Sequence, residues 1–269
     1  MKITVLGSGT SHGVPSIGCT CAVCRSTDPR DRRTRPSIAI DLPAPAVASP
    51  TAAAVRTILV DTSTDLREQA LAHGLRRVDA ILFTHSHADH VFGLDDVRRF
   101  NQMQKEAIGC YADRRTAAAL RQMFSYIFTP AQQVGGGLPQ LSLFEIVGPF
   151  ALGGRDVVPV PLWHGTLPVL GFRIGAFAYL TDCNRIPDAS WDLLLADGGV
   201  STVIIDALRR RPHSTHFSVD EALAVVERLG AARAWFTHIC HDLAHAETCA
   251  RLPAGVELAY DGLVVEVDG

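Results

Sequence analysis

Apolar runs that stop at a polar, chemically competent residue recur along this chain. Val78-Asp79-Ala80-Ile81-Leu82-Phe83 has the look of a buried strand and leads into Thr84-His85-Ser86-His87-Ala88-Asp89-His90. Ala234-Trp235-Phe236 leads into Thr237-His238-Ile239-Cys240-His241-Asp242 and echoes it. Between them, Val157 to Trp163 ends in His164, and Phe177 to Thr181 ends in Asp182. One strand-end His or Asp alone is more often a hydrogen-bonded structural residue. Four such endings point to a shared site, and the two echoing units predict similar halves facing one another across a cleft.

The remaining pattern predicts further elements. Met1 to Leu6 is too short for a secretory leader and reads as the first strand. Ser37-Ile38-Ala39-Ile40 and Thr57-Ile58-Leu59-Val60 read as strands, and the Pro- and Ala-rich stretch from Leu42 to Val55 as an exposed hairpin insertion between them. Helical patterning covers Thr64 to His73, stopped by Gly74, then Asp95 to Gln104 and Ala112 to Phe128. Gly135-Gly136-Gly137-Leu138-Pro139 reads as a mobile rim to the cleft. Ser218-Val219-Asp220-Glu221 is a capping box for a helix that Gly230 ends. Val256 to Val267, broken by Asp261-Gly262, reads as a closing hairpin.

His85 and His87 are two apart, so an extended backbone points them to one face. Asp89 and His90 come where the chain must turn and can reach the same cavity. Such density of imidazole and carboxylate suits two divalent metals. A merely polar, histidine-rich loop would leave costly unpartnered groups at the end of a buried strand. Cys19-Thr20-Cys21-Ala22-Val23-Cys24 adds a second cluster, whose spacing suits a tetrahedral thiolate site with a fourth ligand from elsewhere. His241, three residues past His238, is the candidate. Seven cysteines without a leader point to reduced thiols or metal, and hence to a cytoplasmic protein.

The His-x-His-x-Asp-His motif, with later single His, Asp and His residues, resembles the metallo-β-lactamase superfamily from Ile3 to about Val267. The resemblance implies an α/β fold, a four-layer αβ/βα sandwich, with residues 1–269 as one hydrolase domain and a zinc knuckle at 19–24. It implies one metal on His85, His87 and His164, a second on Asp89, His90 and His238, and Asp182 bridging them. Gly7-Ser8-Gly9-Thr10, Gly13-Val14-Pro15, the Cys-x-Cys-x-x-Cys run and the Thr-His-x-x-His ending are similar to one branch. That branch contains the phosphodiesterase of the bacterial phosphonate carbon–phosphorus lyase pathway. By that resemblance Cys19, Cys21, Cys24 and His241 hold a structural zinc. His216, just before the capped helix, matches a catalytic histidine and joins Asp89 as a catalytic residue; the neighbouring His213 has no such match.

Other features narrow this picture. Gly7-x-Gly9-x-x-x-Gly13 misses the dinucleotide fingerprint by one residue, and Pro15 with the cysteines replaces the helix a pyrophosphate would need, so a tight loop lining the cleft is expected. His12 in that loop either approaches substrate or faces solvent. At 269 residues and 47% hydrophobic, the chain can bury a substantial core. A net charge of −3 gives no reason to expect nucleic acid. The basic run Arg25 to Arg35 reads as a solvated, salt-bridged loop beside the knuckle, ahead of a phosphate-binding patch. No apolar run reaches the ~18 residues of a membrane span.

The leading expectation is a metal-dependent phosphodiesterase acting on a small or cyclic phosphodiester, with two catalytic ions (zinc or manganese) and one structural zinc. Nothing in the sequence forms a Ser-His-Asp arrangement. The competitors are an RNA 3′-processing nuclease, which lacks a long basic arm here, and a lactone, thioester or β-lactam hydrolase. A homodimer is compatible with the resemblance. The physiological substrate and the catalytic metal are left open by the residues alone.

Overall fold

Several runs, such as Ile38-Ala39-Ile40 and Ile58-Leu59-Val60, are apolar at every position, a pattern that fits strands buried on both faces. The computed structural model, which describes residues 1–43, 56–129 and 137–267, shows why. One sheet is built from β1 (Lys2–Gly7), β2 (Ser37–Asp41), β3 (Thr57–Val60), β4 (Ala80–Leu82), β5 (Ile108–Ala112) and β6 (Leu141–Glu145). The second takes β7 (Phe150–Leu152), β8 (Arg155–His164), β9 (Leu167–Ile174), β10 (Phe177–Leu180), β11 (Thr202–Asp206), β12 (Arg233–Thr237) and β13 (Val256–Leu258). The chain then returns to the first sheet as β14 (Val264–Glu266).

The sheet orders are β14-β1-β2-β3-β4-β5-β6 and β13-β12-β11-β10-β9-β8-β7. In each, half of the sheet is antiparallel (β14 to β3, β7 to β10) and the rest is parallel (β3 to β6, β10 to β13). The two halves expected from the echoing motifs are these two sheets.

Alternation within the strands divides the core into layers. Ile38, Ile40, Ile58, Val60, Ala80 and Leu82 meet Phe172, Ile174, Phe177, Tyr179 and Ile204 between the sheets. Ala39, Leu59 and Ile81 point outward, into a cluster with Leu66, Phe100 and Leu120 of the helices Leu66–Ala72, Arg98–Gln104 and Arg114–Met123. Ala178, Leu180, Val203 and Ile205 meet Trp191, Leu194, Val225 and Val226 from the helices Asp188–Leu195 and Val219–Leu229. Helix, sheet, sheet and helix form the four-layer αβ/βα sandwich.

The capping box is present. The Ser218 side chain accepts from the Glu221 amide, Glu221 reaches back to Ser218 N, and Gly230 ends the helix at φ 65°. Several boundaries differ from the sequence reading. Ala112 closes β5 and so serves the sheet, and the next helix begins at Arg114 under an Asp113 cap. Asp95 to Gln104 divides into a 3₁₀ turn, Leu94–Val97, and the helix Arg98–Gln104. The closing hairpin is absent: β13 pairs with β12 in one sheet and β14 with β1 in the other. Asp261 sits at that crossing and accepts from Ser8 N, Ser8 Oγ, Thr34 N and Thr34 Oγ1, so it clamps loops where only a turn was expected. β2 and β3 pair antiparallel as expected, but most of the Leu42–Val55 insertion lies outside the described residues, as do Gly135 and Gly136 of the rim. No described helix is long and apolar enough to cross a membrane.

Candidate metal centre

The strand ends converge. Thr84 and His85 follow β4, and Asp89 and His90 lie in the short helix Ala88–Val91 that turns the chain back. His164 is the last residue of β8, Asp182 lies just past β10, and His238 directly follows β12. Asp182 and His238 hold left-handed backbone angles, φ 53° and 59°, and so does Asp61 after β3 at 63°. Non-glycine residues in that region carry strain that a functional site commonly retains.

Asp182 sits at the centre. Its Oδ2 is 3.1 Å from His90 Nε2, and its Oδ1 is 3.3 Å from His238 Nε2 and 3.9 Å from His85 Nε2. Asp89 Oδ2 lies 3.4 Å from His90 Nε2 and 3.6 Å from His238 Nε2. The rings of His85 and His87 are 4.5 Å apart, and that of His164 lies 5.8 Å and 5.2 Å from them. His87 is exposed at the mouth, while His85, His90 and His238 are buried. The donor atoms of His164, Asp182 and His216 also fall within 4.8 Å of one another.

These residues fit divalent ions on their own chemistry. His85 Nε2, His90 Nε2 and both ring nitrogens of His238 are buried without hydrogen-bond partners. Each such orphan costs about 1–3 kcal/mol if nothing satisfies it. Two ligands each about 2.0–2.2 Å from a shared ion sit roughly 3–3.6 Å apart. The separations of 3.1–3.6 Å among Asp182, Asp89, His90 and His238 match that spacing. Burial keeps His85, His87 and His164 below the ordinary imidazole value, in the neutral form that ligates. Burial opposes ionisation of Asp182, yet His238 and His90 beside it hold its carboxyl well below the usual range.

Sequence reasoning missed the residues that aim these ligands. Asp61 is buried beneath His90, with Oδ2 2.7 Å from His90 Nδ1, and it accepts from Thr84 N and Oγ1. His90 is thereby turned so that Nε2 faces Asp182. His164 Nδ1 donates to the carbonyl of Thr215 at 2.8 Å, which leaves its Nε2 free. Asp206 is the third case: its Oδ2 lies 2.7 Å from His216 Nδ1 and accepts from Cys183 N. Asp61 and Asp206 each end an apolar strand, so the rule that found Asp182 would have found them too.

His216 is buried against the cluster, its ring 4.6 Å from that of His164 and 4.5 Å from that of His238. Burial disfavours its charged form, but the Asp206 carboxylate outweighs this and lifts the pKa to about 9. His213 stands farther out, with its Nδ1 occupied by Thr215.

The knuckle also assembles. His241 Nδ1 lies 3.2, 3.8 and 3.4 Å from Sγ of Cys19, Cys21 and Cys24, and all three thiols are free. Tetrahedral zinc with ~2.3 Å Zn–S and ~2.0–2.1 Å Zn–N bonds places S and N about 3.6 Å apart. The basic run beside it is only partly solvated. Arg30 pairs with Asp28 and Arg35 with Asp65, as a salt-bridged loop would. Arg33 departs from that reading: its buried guanidinium pairs with Asp31 and donates to the carbonyls of Cys240 and Leu243. It therefore ties the knuckle loop to the loop that carries His241. His12 is exposed beside this region.

The chain is similar to several known proteins. Residues 56–239 match the family described as "Beta-lactamase superfamily domain". A solved structure described as a new diphosphatase from the PhnP family is 43% identical, covers 99% of this chain and 98% of its own, and superposes with a TM-score of 0.87. Coenzyme PQQ synthesis protein B of Rhodopseudomonas palustris (strain TIE-1) is 30% identical over 98% of this chain and 99% of that protein. A Porphyromonas gingivalis (strain ATCC BAA-308 / W83) protein named octanoyltransferase is 36% identical over all of this chain, but the chain spans only 52% of it. The chain belongs to the beta-lactamase superfamily, on its PhnP branch, and has the metallo-β-lactamase fold.

Proposed function

We propose that this protein is a metal-dependent phosphodiesterase acting on small or cyclic phosphodiesters. The observation that carries the reading is the pairing of two features across one cleft. Orphaned imidazole nitrogens gather around Asp182, and His216 stands against them on its Asp206 partner. The similarity to a PhnP-family diphosphatase supports chemistry at phosphorus over a lactone or β-lactam.

His85, His87 and His164 would hold one ion and Asp89, His90 and His238 a second, with Asp182 shared. Zinc and manganese both suit such nitrogen and oxygen donors. Two ions so held supply Lewis acidity toward a phosphoryl oxygen and make hydroxide available near neutral pH. The protein's own residues do the rest. Asp61 and the Thr215 carbonyl fix the rings of His90 and His164. Asp206 fixes the His216 ring and favours its protonated form. His216 then donates a proton to the departing alkoxide, a role typically worth about 10²–10⁴-fold in rate. Cys19, Cys21, Cys24 and His241 would hold a structural zinc, and their free thiols support a reducing, cytoplasmic setting.

The test is a hydrolysis panel of phosphodiesters, cyclic phosphates, lactones and β-lactams with the purified protein loaded with defined metals. Turnover of phosphodiesters above the other classes is expected. Preferential turnover of a lactone or β-lactam would overturn the reading.

A further inference from the structure

Just past Asp182, the segment from Cys183 to Arg185 is bonded to the chain on either side of it. On the strand side, Asn184 N donates to the Trp163 carbonyl at 2.9 Å, and Trp163 N donates to that of Arg185 at 3.0 Å. On the loop side, Phe217 N donates to the Cys183 carbonyl at 2.9 Å. These backbone bonds fix the residue before His164 and the residue after His216. The half-buried Asn184 side chain takes the opposite flanks. Its Oδ1 accepts from Gly165 N at 2.9 Å, and its Nδ2 donates to the Ser214 carbonyl at 2.8 Å. A neutral amide suits this span, because it offers an acceptor and a donor on one carbon.

Gly165 shows how closely the two loops meet. It holds φ 64°, and a Cβ there would lie 2.9 Å from Thr215 Cγ2. Thr215 in turn gives its carbonyl to His164 Nδ1, and the rings of His164 and His216 are 4.6 Å apart. From these contacts we infer that Asn184 is a positioning residue, which sets the spacing between the ligand His164 and the proton donor His216. This rests on the phosphodiesterase reading and names what aligns the acid with the metal centre in it. The acid must meet the departing oxygen of an ester held on the His164 side, and a misplacement of about 1 Å can cost ~10²-fold in rate. With the amide removed, each histidine keeps the backbone hold on one flank and loses the hold on the other.

Asn184→Ala and Asn184→Asp test this in the metal-loaded protein, with an alkyl and a nitrophenyl phosphodiester. Aspartate has the same shape and keeps the acceptor for Gly165 N, but it sets a carboxylate oxygen against the Ser214 carbonyl. Both variants should lower kcat for the alkyl diester about 10-fold or more with KM little changed. The loss on the nitrophenyl diester should be far smaller, since its leaving group needs no proton. Gly165→Ala, whose methyl group pushes Thr215 away from the other side, should show the same split. A merely structural residue would lower the melting temperature and leave the alkyl-to-nitrophenyl ratio of the wild type. That result would overturn the positioning role, and so would an equal loss on both diesters. If the wild type hydrolyses neither diester, the premise fails, and competition with a chelator dye decides the role of Asn184 alone. Asn184→Ala should then hold its catalytic ions about 10-fold more weakly, because the Thr215 carbonyl that orients His164 is no longer fixed. Equal affinity in the two proteins sinks it.

Discussion

Asp206 Oδ2 lies 2.7 Å from His216 Nδ1, and among the described residues no other hydrogen bond holds that ring. The carboxylate both orients the imidazole and favours its charged form against the pull of burial. This gives His216 the orientation and the proton that a general acid needs, without itself requiring an ion. His216→Ala should therefore slow an alkyl phosphodiester about 10²–10⁴-fold while slowing a nitrophenyl diester far less, because nitrophenolate departs without a proton. Metal content should stay the same. The His216 donor also falls within reach of His164 and Asp182, so loss of metal from the variant would make it a ligand instead.

Asp61 plays the matching part for His90. With its carboxylate replaced in Asp61→Ala, the buried imidazole is free to turn, and the donors Thr84 N and Oγ1 lose their acceptor. Outer partners of metal-ligating histidines are typically worth 10–100-fold in metal affinity. Competition with a chelator dye should show a loss of about that size at the catalytic site, with the knuckle zinc unaffected. Unchanged affinity would make Asp61 a purely structural residue.

The ends of strands were the legible part of this site. His85, His164, Asp182 and His238 each terminate an apolar run, and chain continuity alone places such residues at one edge of a sheet. Asp61 and Asp206 end strands as well, and the same rule reaches them, but it does not say what they hold. Their role exists only through His90 and His216, which are 29 and 10 residues away. The fold was legible through the resemblance that the His-x-His-x-Asp-His motif carries, and runs apolar at every position, such as Ile58-Leu59-Val60, fit it because they need cover on both faces. The false hairpin at Val256–Val267 shows the limit. Two short strands separated by Asp-Gly look like a hairpin locally, and only partners far away in sequence, β12 and β1, send them to different sheets.

The knuckle yields a stability prediction. Cys19, Cys21, Cys24 and His241 join residues more than 200 positions apart, so a zinc there would close a very long loop. Cys21→Ser should release one zinc per chain and lower the melting temperature, since structural zinc contributes directly to folding. Metal analysis and calorimetry on the same sample check both. A native disulfide between any two of these cysteines would rule the site out.

Asp261 offers a test independent of any metal. Its carboxylate takes four hydrogen bonds, from Ser8 N and Oγ and from Thr34 N and Oγ1, and so locks the strand-end loops that support the site. Asp261→Ala leaves those donors without their acceptor, at about 1–3 kcal/mol for each that water cannot reach. The pH dependence has a defined sign. Burial pushes the Asp261 carboxyl above its ordinary value of 3.8, and the four donors only partly offset that. A raised folded pKa means that the folded state binds the proton more tightly than the unfolded chain. The resulting stabilisation is full below 3.8 and is lost as pH rises through the raised folded value. The difference in unfolding free energy between wild type and Asp261→Ala should therefore narrow with rising pH across that interval, while remaining positive at neutral pH through the hydrogen bonds. Denaturant unfolding of both proteins at a series of acid and neutral pH values measures it. A gap that widens with pH would show that the donors, rather than burial, set the Asp261 carboxyl.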